Sequence, residues 1–397
     1  MMRLKLIATA TFGLEAVVKR EIQALGYDII STENGHVMFW GDERAIARCN
    51  LWLRCADRLL LLMGEFSAVT FEELFQQTGG LPWEQLIPPD GRFTVIGTSV
   101  KSRLHSVPAC QSIVKKAVAR RLGECYCMDQ LPETGAEYRI KIGMMKDRAQ
   151  LTVDTSGVGL HKRGYRTSDV AAPIKETLAA ALVQLSFWNP ERVLADPCCG
   201  SGTIPIEAAL IGRNIAPGIS RGFASEGWEL IPAEVWKEER REAFKAIRSD
   251  VELKILAGDI DRRAISAARA NAEKAGVDDC IVFRQMDAAQ LQCNEEGGVM
   301  ITNPPYGRRI GDDREIRRIY RALQAFFRTR PTWSLFLVTA DKSAERNLFG
   351  RKADRRRKLF NGRMEVCYYQ FHGEKPGKAA RRSPGERRGE HLEDRDQ

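Results

Sequence analysis

Four short segments hold the residues able to do chemistry. Val193-Leu-Ala-Asp196-Pro-Cys198-Cys199-Gly200-Ser-Gly202-Thr203 follows an apolar strand and opens a helix. Glycines at such a turn let a ligand touch the backbone, and the helix start offers free N–H donors. Asp196 ahead of the glycines would repel a pyrophosphate. It suits a cation, such as the aminopropyl ammonium of S-adenosylmethionine. The dinucleotide pattern G-x-G-x-x-G and a P-loop lysine are both missing. Ala257-Gly258-Asp259-Ile260-Asp261 ends the next strand, where a carboxylate can bind a ribose diol. Met286-Asp287-Ala288 follows a third strand and is placed to meet an adenine amino group. Each Asp alone could equally cap a helix, and a lone Gly-x-Gly is often only a tight turn. On consecutive strand ends of one open sheet, the three segments surround one crevice.

The fourth segment, Asn303-Pro304-Pro305-Tyr306-Gly307, is the most specific. As a bland loop it would be a stiff turn. Its chemistry suits an exocyclic base amine, a poor nucleophile whose lone pair is delocalised into the ring. The Asn303 side-chain oxygen and the Pro304 carbonyl can accept both amine hydrogens. That favours a pyramidal nitrogen with its lone pair free to attack. Tyr306 offers a face for the base to stack on. No strong general base is required, because the proton can leave after attack.

These segments need a parallel sheet to present them. Short apolar strands at Arg192 to Ala195, Lys254 to Gly258, Cys280 to Phe283, Val299 to Thr302 and Ser334 to Thr339 alternate with helical patterns. The clearest helix runs from Arg262 to Ala275 and stops at Gly276. This alternation predicts a doubly wound α/β domain. Asn361-Gly362 between two strands predicts a closing hairpin and an antiparallel strand at the end of the sheet. Upstream, residues 1–66 read strand, helix, strand, strand, helix, strand. Residues 67–160 form a second α+β unit with a helix from Ser106 or Pro108 to about Leu122. The segment 212–249 is inserted after the first helix of the α/β domain, and Trp228 and Trp236 in it are expected in the core rather than in a lid. The last residues, 373–397, are charged, hold one Leu and no aromatic, and are expected to be a disordered tail.

The chain has 397 residues, enough for two or three domains. Its apolar content of 44% and charged content of 28% exclude a largely disordered or fibrous protein. No apolar run reaches the ~18–20 residues of a membrane helix, and Met1 to Ala10 reads as a strand rather than a signal peptide. Ten cysteines without a C-x-x-C pair fit buried thiols in a reducing cytoplasm, with neither a zinc site nor a disulfide framework. The net charge of +9 favours an anionic partner. Between Arg92 and Arg121 there are seven Lys/Arg (Arg92, Lys101, Arg103, Lys115, Lys116, Arg120 and Arg121) and no acid. Such a run is often only a solvated helix face, but on an α+β unit beside a catalytic domain it equally suits phosphate contact.

Asp-Pro-Cys-Cys-Gly-Ser-Gly, Gly-Asp-Ile-Asp and Asn-Pro-Pro-Tyr-Gly, in this order, resemble class I S-adenosylmethionine-dependent RNA methyltransferases that carry a THUMP domain. Lys101-Ser-Arg103-Leu-His-Ser with Gln111-Ser-Ile-Val-Lys-Lys is similar to the THUMP segment. Leu160-His-Lys-Arg-Gly-Tyr-Arg166 and Ala172-Pro-Ile-Lys-Glu-Thr-Leu-Ala resemble the lead into the methyltransferase domain. The resemblance covers the chain to about His372 and is strongest to the 23S ribosomal RNA guanine-N2 methyltransferases and their Gram-positive counterparts. It implies a ferredoxin-like domain (1–66), a THUMP RNA-binding domain (67–160) and a Rossmann-like seven-stranded methyltransferase domain (161–372). It implies S-adenosylmethionine as cofactor and S-adenosylhomocysteine as product. It places Asp196, Gly200 and Gly202 at the methionine end, Asp259 at the ribose and Asp287 at the adenine, with Cys198, Thr203, Ile260 and Ala288 also binding the cofactor. Asn303, Pro304 and Tyr306 would hold the target amine. Two positions depart from the family pattern. Arg308-Arg309 stands where many relatives are acidic, and Cys198 is often Met.

The reading is therefore a cytoplasmic enzyme that methylates guanine N2 in RNA, with 23S ribosomal RNA as the partner. Arg308, Arg309, Arg317, Arg318 and Arg321 would help hold the RNA backbone. A tRNA guanine-N2 or an adenine-N6 methyltransferase uses the same target motif. So does a protein-glutamine methyltransferase, against which the basic second domain argues. A non-catalytic RNA-binding assembly factor is disfavoured by the intact Asp196, Asp259 and Asn303.

Overall fold

A computed structural model describes residues 3–166, 174–305, 313–362 and 364–374. The tail expected beyond His372 lies outside the described residues after Glu374. The chain opens with β1 (Leu4–Ala10), α1 (Glu15–Ala24), β2 (Ile29–Glu33), β3 (His36–Gly41), α2 (Glu43–Trp52) and β4 (Ala56–Ser67). Asn34-Gly35 turns the predicted hairpin, with Gly35 at φ +84°. Asp42 caps α2 by accepting from the Ala45 N–H at 2.7 Å. Next come α3 (Phe71–Gly79), β5 (Arg92–Val100), α4 (Val107–Tyr126), β6 (Glu137–Met145) and β7 (Arg148–Asp154).

The two N-terminal regions share one sheet, ordered β2-β3-β1-β4-β7-β6-β5. The long strand β4 makes the junction. Its first half pairs with β1, and it pairs with β7 from Leu60↔Asp154 to Ser67↔Arg148. The boundary expected at Phe66 thus falls inside a strand that serves both regions.

The remaining elements are α5 (Glu176–Leu185), β8 (Leu194–Asp196), α6 (Thr203–Gly212), α7 (Ala233–Lys245), β9 (Ile255–Asp259) and α8 (Arg262–Ala275). They continue with β10 (Ile281–Gln285), β11 (Val299–Thr302), α9 (Asp313–Arg328), β12 (Ser334–Thr339), α10 (Ala344–Phe349), β13 (Arg355–Asn361) and β14 (Met364–Phe371). The sheet order is β10-β9-β8-β11-β12-β14-β13. Strands β8 to β12 are parallel. Every residue of β11 and β12 is buried, as expected for apolar runs covered on both faces. The antiparallel strand is β14, but it is not the edge. It inserts between β12 and β13, so the outermost strand β13 runs in the parallel direction again. The strand order reverses between β8 and β11, and ligands of open α/β sheets sit outside the strand ends at such a reversal.

The inserted segment braces the domains. Arg48 Nε and Arg44 Nη1 reach the buried Glu239 carboxylate of α7 at 2.8 and 3.1 Å, which joins α2 to α7. Trp228 stacks on Tyr138 of β6 at 4.9 Å and 19° and donates to the Glu137 carbonyl at 3.1 Å. Trp228 and Trp236 are both buried, so they are core, shared between domains. Nearby, buried Arg163 donates to the Leu160 and Arg54 carbonyls and pairs with Glu207 at 3.4 Å. Truncating Trp228 to Ala removes the stack and leaves a cavity across the junction. A loss of about 3–5 kcal/mol is expected in urea unfolding. An unchanged midpoint would show that the insertion braces nothing.

Candidate active site

Neighbouring strands and helices hold three backbone groups of the first turn. Cys199 N–H donates to the Gly258 carbonyl at 2.9 Å, and Gly200 N–H donates to Asp259 Oδ2 at 2.9 Å. The side-chain amide of buried Asn271 on α8 donates to the Ser201 carbonyl at 3.0 Å. Arg166 reaches the hydroxyls of Ser201 and Thr203 at 3.1 and 3.2 Å and pairs with Glu176 at 3.0 Å. Gly200 and Gly202 stand at φ +55° and +81°. A Cβ on Gly202 would come 3.0 Å from Ala268 Cβ, whereas one on Gly200 would project into open space. The turn is therefore packed on its α8 side and open at Gly200, where a ligand has room. Gly202 caps α6 without a side chain, so no side chain competes for the helix's first N–H groups.

Asp196 ends β8 and is 1% exposed. Its Oδ1 accepts from Thr302 Oγ1 at 2.8 Å and from the Cys198 N–H at 3.2 Å. Burial pushes the Asp196 carboxyl up from 3.8 to about 7, against the lowering effect of those two donors. Burial also raises the Cys198 and Cys199 thiols, and the Asp196 charge adds to it. Neither is a ready nucleophile.

Asp259 lies at the end of β9, where its second oxygen accepts from the Asp261 N–H at 2.9 Å. Asp261 caps α8 through the Arg263 N–H at 2.8 Å. Ile260 between them is 51% exposed. Asp287 caps the turn after β10, accepting from the Ala289 N–H at 2.9 Å, with Ala288 half-buried beside it. The capping reading and the ligand reading thus coexist, since a carboxylate has lone pairs for both. Asn303 follows β11 directly. Its Oδ1 is buried and has no hydrogen-bond partner among the described residues. An unpartnered buried acceptor costs roughly 1–3 kcal/mol, which a bound donor would relieve. Pro304 is buried and Pro305 half-buried. Tyr306, Arg308 and Arg309 lie outside the described residues.

Residues 163–370 match the RMKL-like methyltransferase domain. The chain belongs to the RMKL-like methyltransferase family. Residues 5–60 match the RlmL ferredoxin-like domain and residues 68–154 the THUMP domain. YpsC of Bacillus subtilis, which carries the name of an RNA methyltransferase, is 49% identical over 94% of this chain and 96% of its own. The ribosomal RNA large subunit methyltransferase K/L of Syntrophotalea carbinolica is 37% identical over 93% of this chain. The chain spans about half of that protein, 53%. Two solved structures are similar over 94% of this chain, each with a TM-score of 0.90. One, from Listeria monocytogenes, is described as a predicted N6-adenine-specific DNA methylase; it is 50% identical and covered over 97%. The other, SMU.472, is described as a methyltransferase complexed with SAH; it is 44% identical and covered over 99%.

Within this RMKL-like site, three residues matter that composition and spacing do not reveal. Thr302 holds Asp196, Asn271 holds the glycine turn, and Arg318 of α9 pairs with Asp287 at 2.8 Å. Arg318, expected on RNA, is exposed and reaches the turn after β10 through this pair. Arg166, noted only for family resemblance, is the clamp on Ser201 and Thr203. The basic run of the second region also changes character. Arg121 pairs with Glu84 at 2.7 Å, Arg120 with Glu124 at 2.7 Å, Arg103 with Asp147 at 3.8 Å and Lys115 with Glu133 at 3.9 Å. The run is acid-free along the chain but not in space. Among the described residues, Arg92, Lys101 and Lys116 have no such ion pair.

The raised Asp196 carboxyl sets a pH dependence. The folded protein keeps a proton that the unfolded chain releases between pH 3.8 and about 7. Stability of the ligand-free protein is therefore reduced as pH rises through that window and levels off above it. Asp196→Asn should flatten part of that fall in urea midpoints taken from pH 5 to 8. An identical fall in both proteins would refute the assignment.

Proposed function

We propose that this protein transfers a methyl group from S-adenosylmethionine to the exocyclic N2 of a guanine in RNA, with 23S ribosomal RNA as the substrate. The observation that carries the reading is the buried, unpartnered Asn303 Oδ1, one residue beyond the Thr302 that holds Asp196. The donor set fits the cofactor. Three carboxylates on three strand ends, an open Gly200 and uncapped N–H groups at the start of α6 suit a ligand with an ammonium, a carboxylate, a diol and an adenine. The same set is hostile to a pyrophosphate.

In this reading Asp196 would hold the ammonium, and the first N–H groups of α6 would hold the carboxylate. Asp259 would accept from the ribose hydroxyls, and Asp287 with Ala288 would hold the adenine. Bound S-adenosylmethionine would supply a methyl group on a positively charged sulfur, already activated for displacement. The chain's own work is alignment, which can contribute up to about 7–11 kcal/mol in ideal cases. Asn303 Oδ1 and the Pro304 carbonyl accept the two amine hydrogens and leave the nitrogen lone pair unshared with the ring. Tyr306 stacks on the base, which must first be unstacked from its strand at a cost of a few kcal/mol. The amine's extra proton passes to solvent after attack.

RNA is supported by the names of the Bacillus and Syntrophotalea relatives and by the THUMP match. Guanine N2 is supported by the motif resemblance to the large-subunit enzymes. The description of the Listeria homologue favours adenine N6 as the second reading. Both chemistries use the same acceptor pair, so the methylated nucleoside decides between them. Asn303→Ala should cut transfer to large-subunit RNA from a deletion strain by about a hundredfold or more. Its affinity for S-adenosylhomocysteine in calorimetry should stay unchanged. Full methylation by this variant would overturn the mechanism.

A further inference from the structure

Residues 161–372 carry 35 Lys/Arg and 28 Asp/Glu. Between Arg328 and Lys358 there are ten Lys/Arg and three Asp/Glu. That short stretch therefore holds the whole excess charge of the catalytic region, and the rest of the region is balanced. Seven of its ten basic residues are arginine. The planar arginine fork matches phosphate oxygens in a way lysine does not.

Between its two exposed parts the stretch passes through the buried strand β12. The fold nevertheless brings Arg328 and Arg330 at the end of α9 to one groove with Arg351, from which a strip of chain runs on into the edge strand β13. Arg351 pairs with Asp354 at 3.4 Å, Arg356 with Glu345 at 3.4 Å and Lys358 with Glu365 at 2.6 Å. Arg328, Arg346, Lys352 and Arg355 are exposed and have no ion pair among the described residues. That groove, of about 250 Å³, opens at the start of the strip. Arg328, Arg330 and Arg351 line it together with Phe327, Phe349 and Phe371. Charges on an edge strand also discourage strand-to-strand aggregation. One or two would suffice for that, and they would not need a groove lined with arginine and aromatic rings.

Direction matters as much as charge. Both β12 and β13 are antiparallel to β14, so β13 points toward the end of the sheet where β8 and β11 finish. The strand spans about 23 Å at ~3.3 Å per residue. It leads from the far pole of the domain toward the end that carries Asp196 and Asn303. It also meets the N-terminal domain, where Arg357 donates to the Gly13 carbonyl at 3.1 Å and Phe360 packs on Phe12.

We propose that the strip from Arg328 to Lys358 is an RNA-backbone surface that holds the strand flanking the target nucleotide and guides it along β13 to the crevice. This rests on the RNA reading of the site. It narrows the electrostatic grip of the catalytic half to one edge of that domain.

The test is a triple variant, Arg328→Gln, Lys352→Gln and Arg355→Gln, in the full chain. Binding to protein-free large-subunit ribosomal RNA is titrated across salt concentrations, with S-adenosylhomocysteine affinity measured alongside as a check on folding. The variant should bind roughly tenfold more weakly at low salt, and its salt slope should be shallower by about two to three. Its S-adenosylhomocysteine affinity should match the parent. Equal RNA affinity and slope in both proteins would overturn the strip while leaving the RNA reading intact. Absence of RNA binding by the parent would overturn both. A loss seen only with phosphatidylserine vesicles, and not with RNA, would reassign the strip to a membrane surface.

Discussion

The two halves of the site meet where β8 pairs with β11, and the hydrogen bond from Thr302 Oγ1 to Asp196 Oδ1 at 2.8 Å extends that pairing to the strand ends. It crosses the strand-order reversal between β8 and β11. On the β8 side lies the glycine turn, and on the β11 side lies Asn303. A buried carboxylate is costly unless hydrogen-bonded, and among the described residues this hydroxyl and the Cys198 N–H meet that cost for Asp196. The two turns are thereby fixed relative to each other before any ligand arrives. Such fixed alignment is what a displacement between two bound partners demands.

Around that bond the structure adds rigid support from a distance. Arg166 reaches the glycine turn from the segment that leads out of the N-terminal module. Trp228 and Glu239 tie the insertion to β6 and α2. The Arg163–Glu207 pair is buried between domains, where losing one partner would leave an uncompensated charge. The N-terminal sheet is therefore fastened to the catalytic domain at several points.

Much of this was legible from residue order. The Asn34-Gly35 hairpin, the Asp42 cap, the helix from Arg262 to Gly276 and the strands at 299–302, 334–339 and 364–371 follow from local rules of turn and cap chemistry. The three aspartates were legible because each ends a strand or follows one closely, and parallel strands end on one side. What local pattern does not encode is who meets whom across the fold. Nothing in sequence pairs Thr302 with Asp196, Arg318 with Asp287 or Arg121 with Glu84. For the same reason β4 reads as the end of one unit rather than the seam between two, and β14 reads as an edge although β13 covers it. The overall charge of +9 was visible, but the concentration of most of it between Arg328 and Lys358 gained meaning only when the direction of β13 was known.

The central claim is that the Asp196–Asn303 site methylates guanine N2 in large-subunit ribosomal RNA. Mass-spectrometric mapping of modified nucleosides in RNA from a deletion strain, with and without the complementing gene, tests it most directly. The account predicts that one N2-methylguanosine disappears from large-subunit RNA and returns on complementation. An unchanged large-subunit RNA, with a methyl group missing instead from tRNA, from DNA adenine or from a protein glutamine, would contradict it.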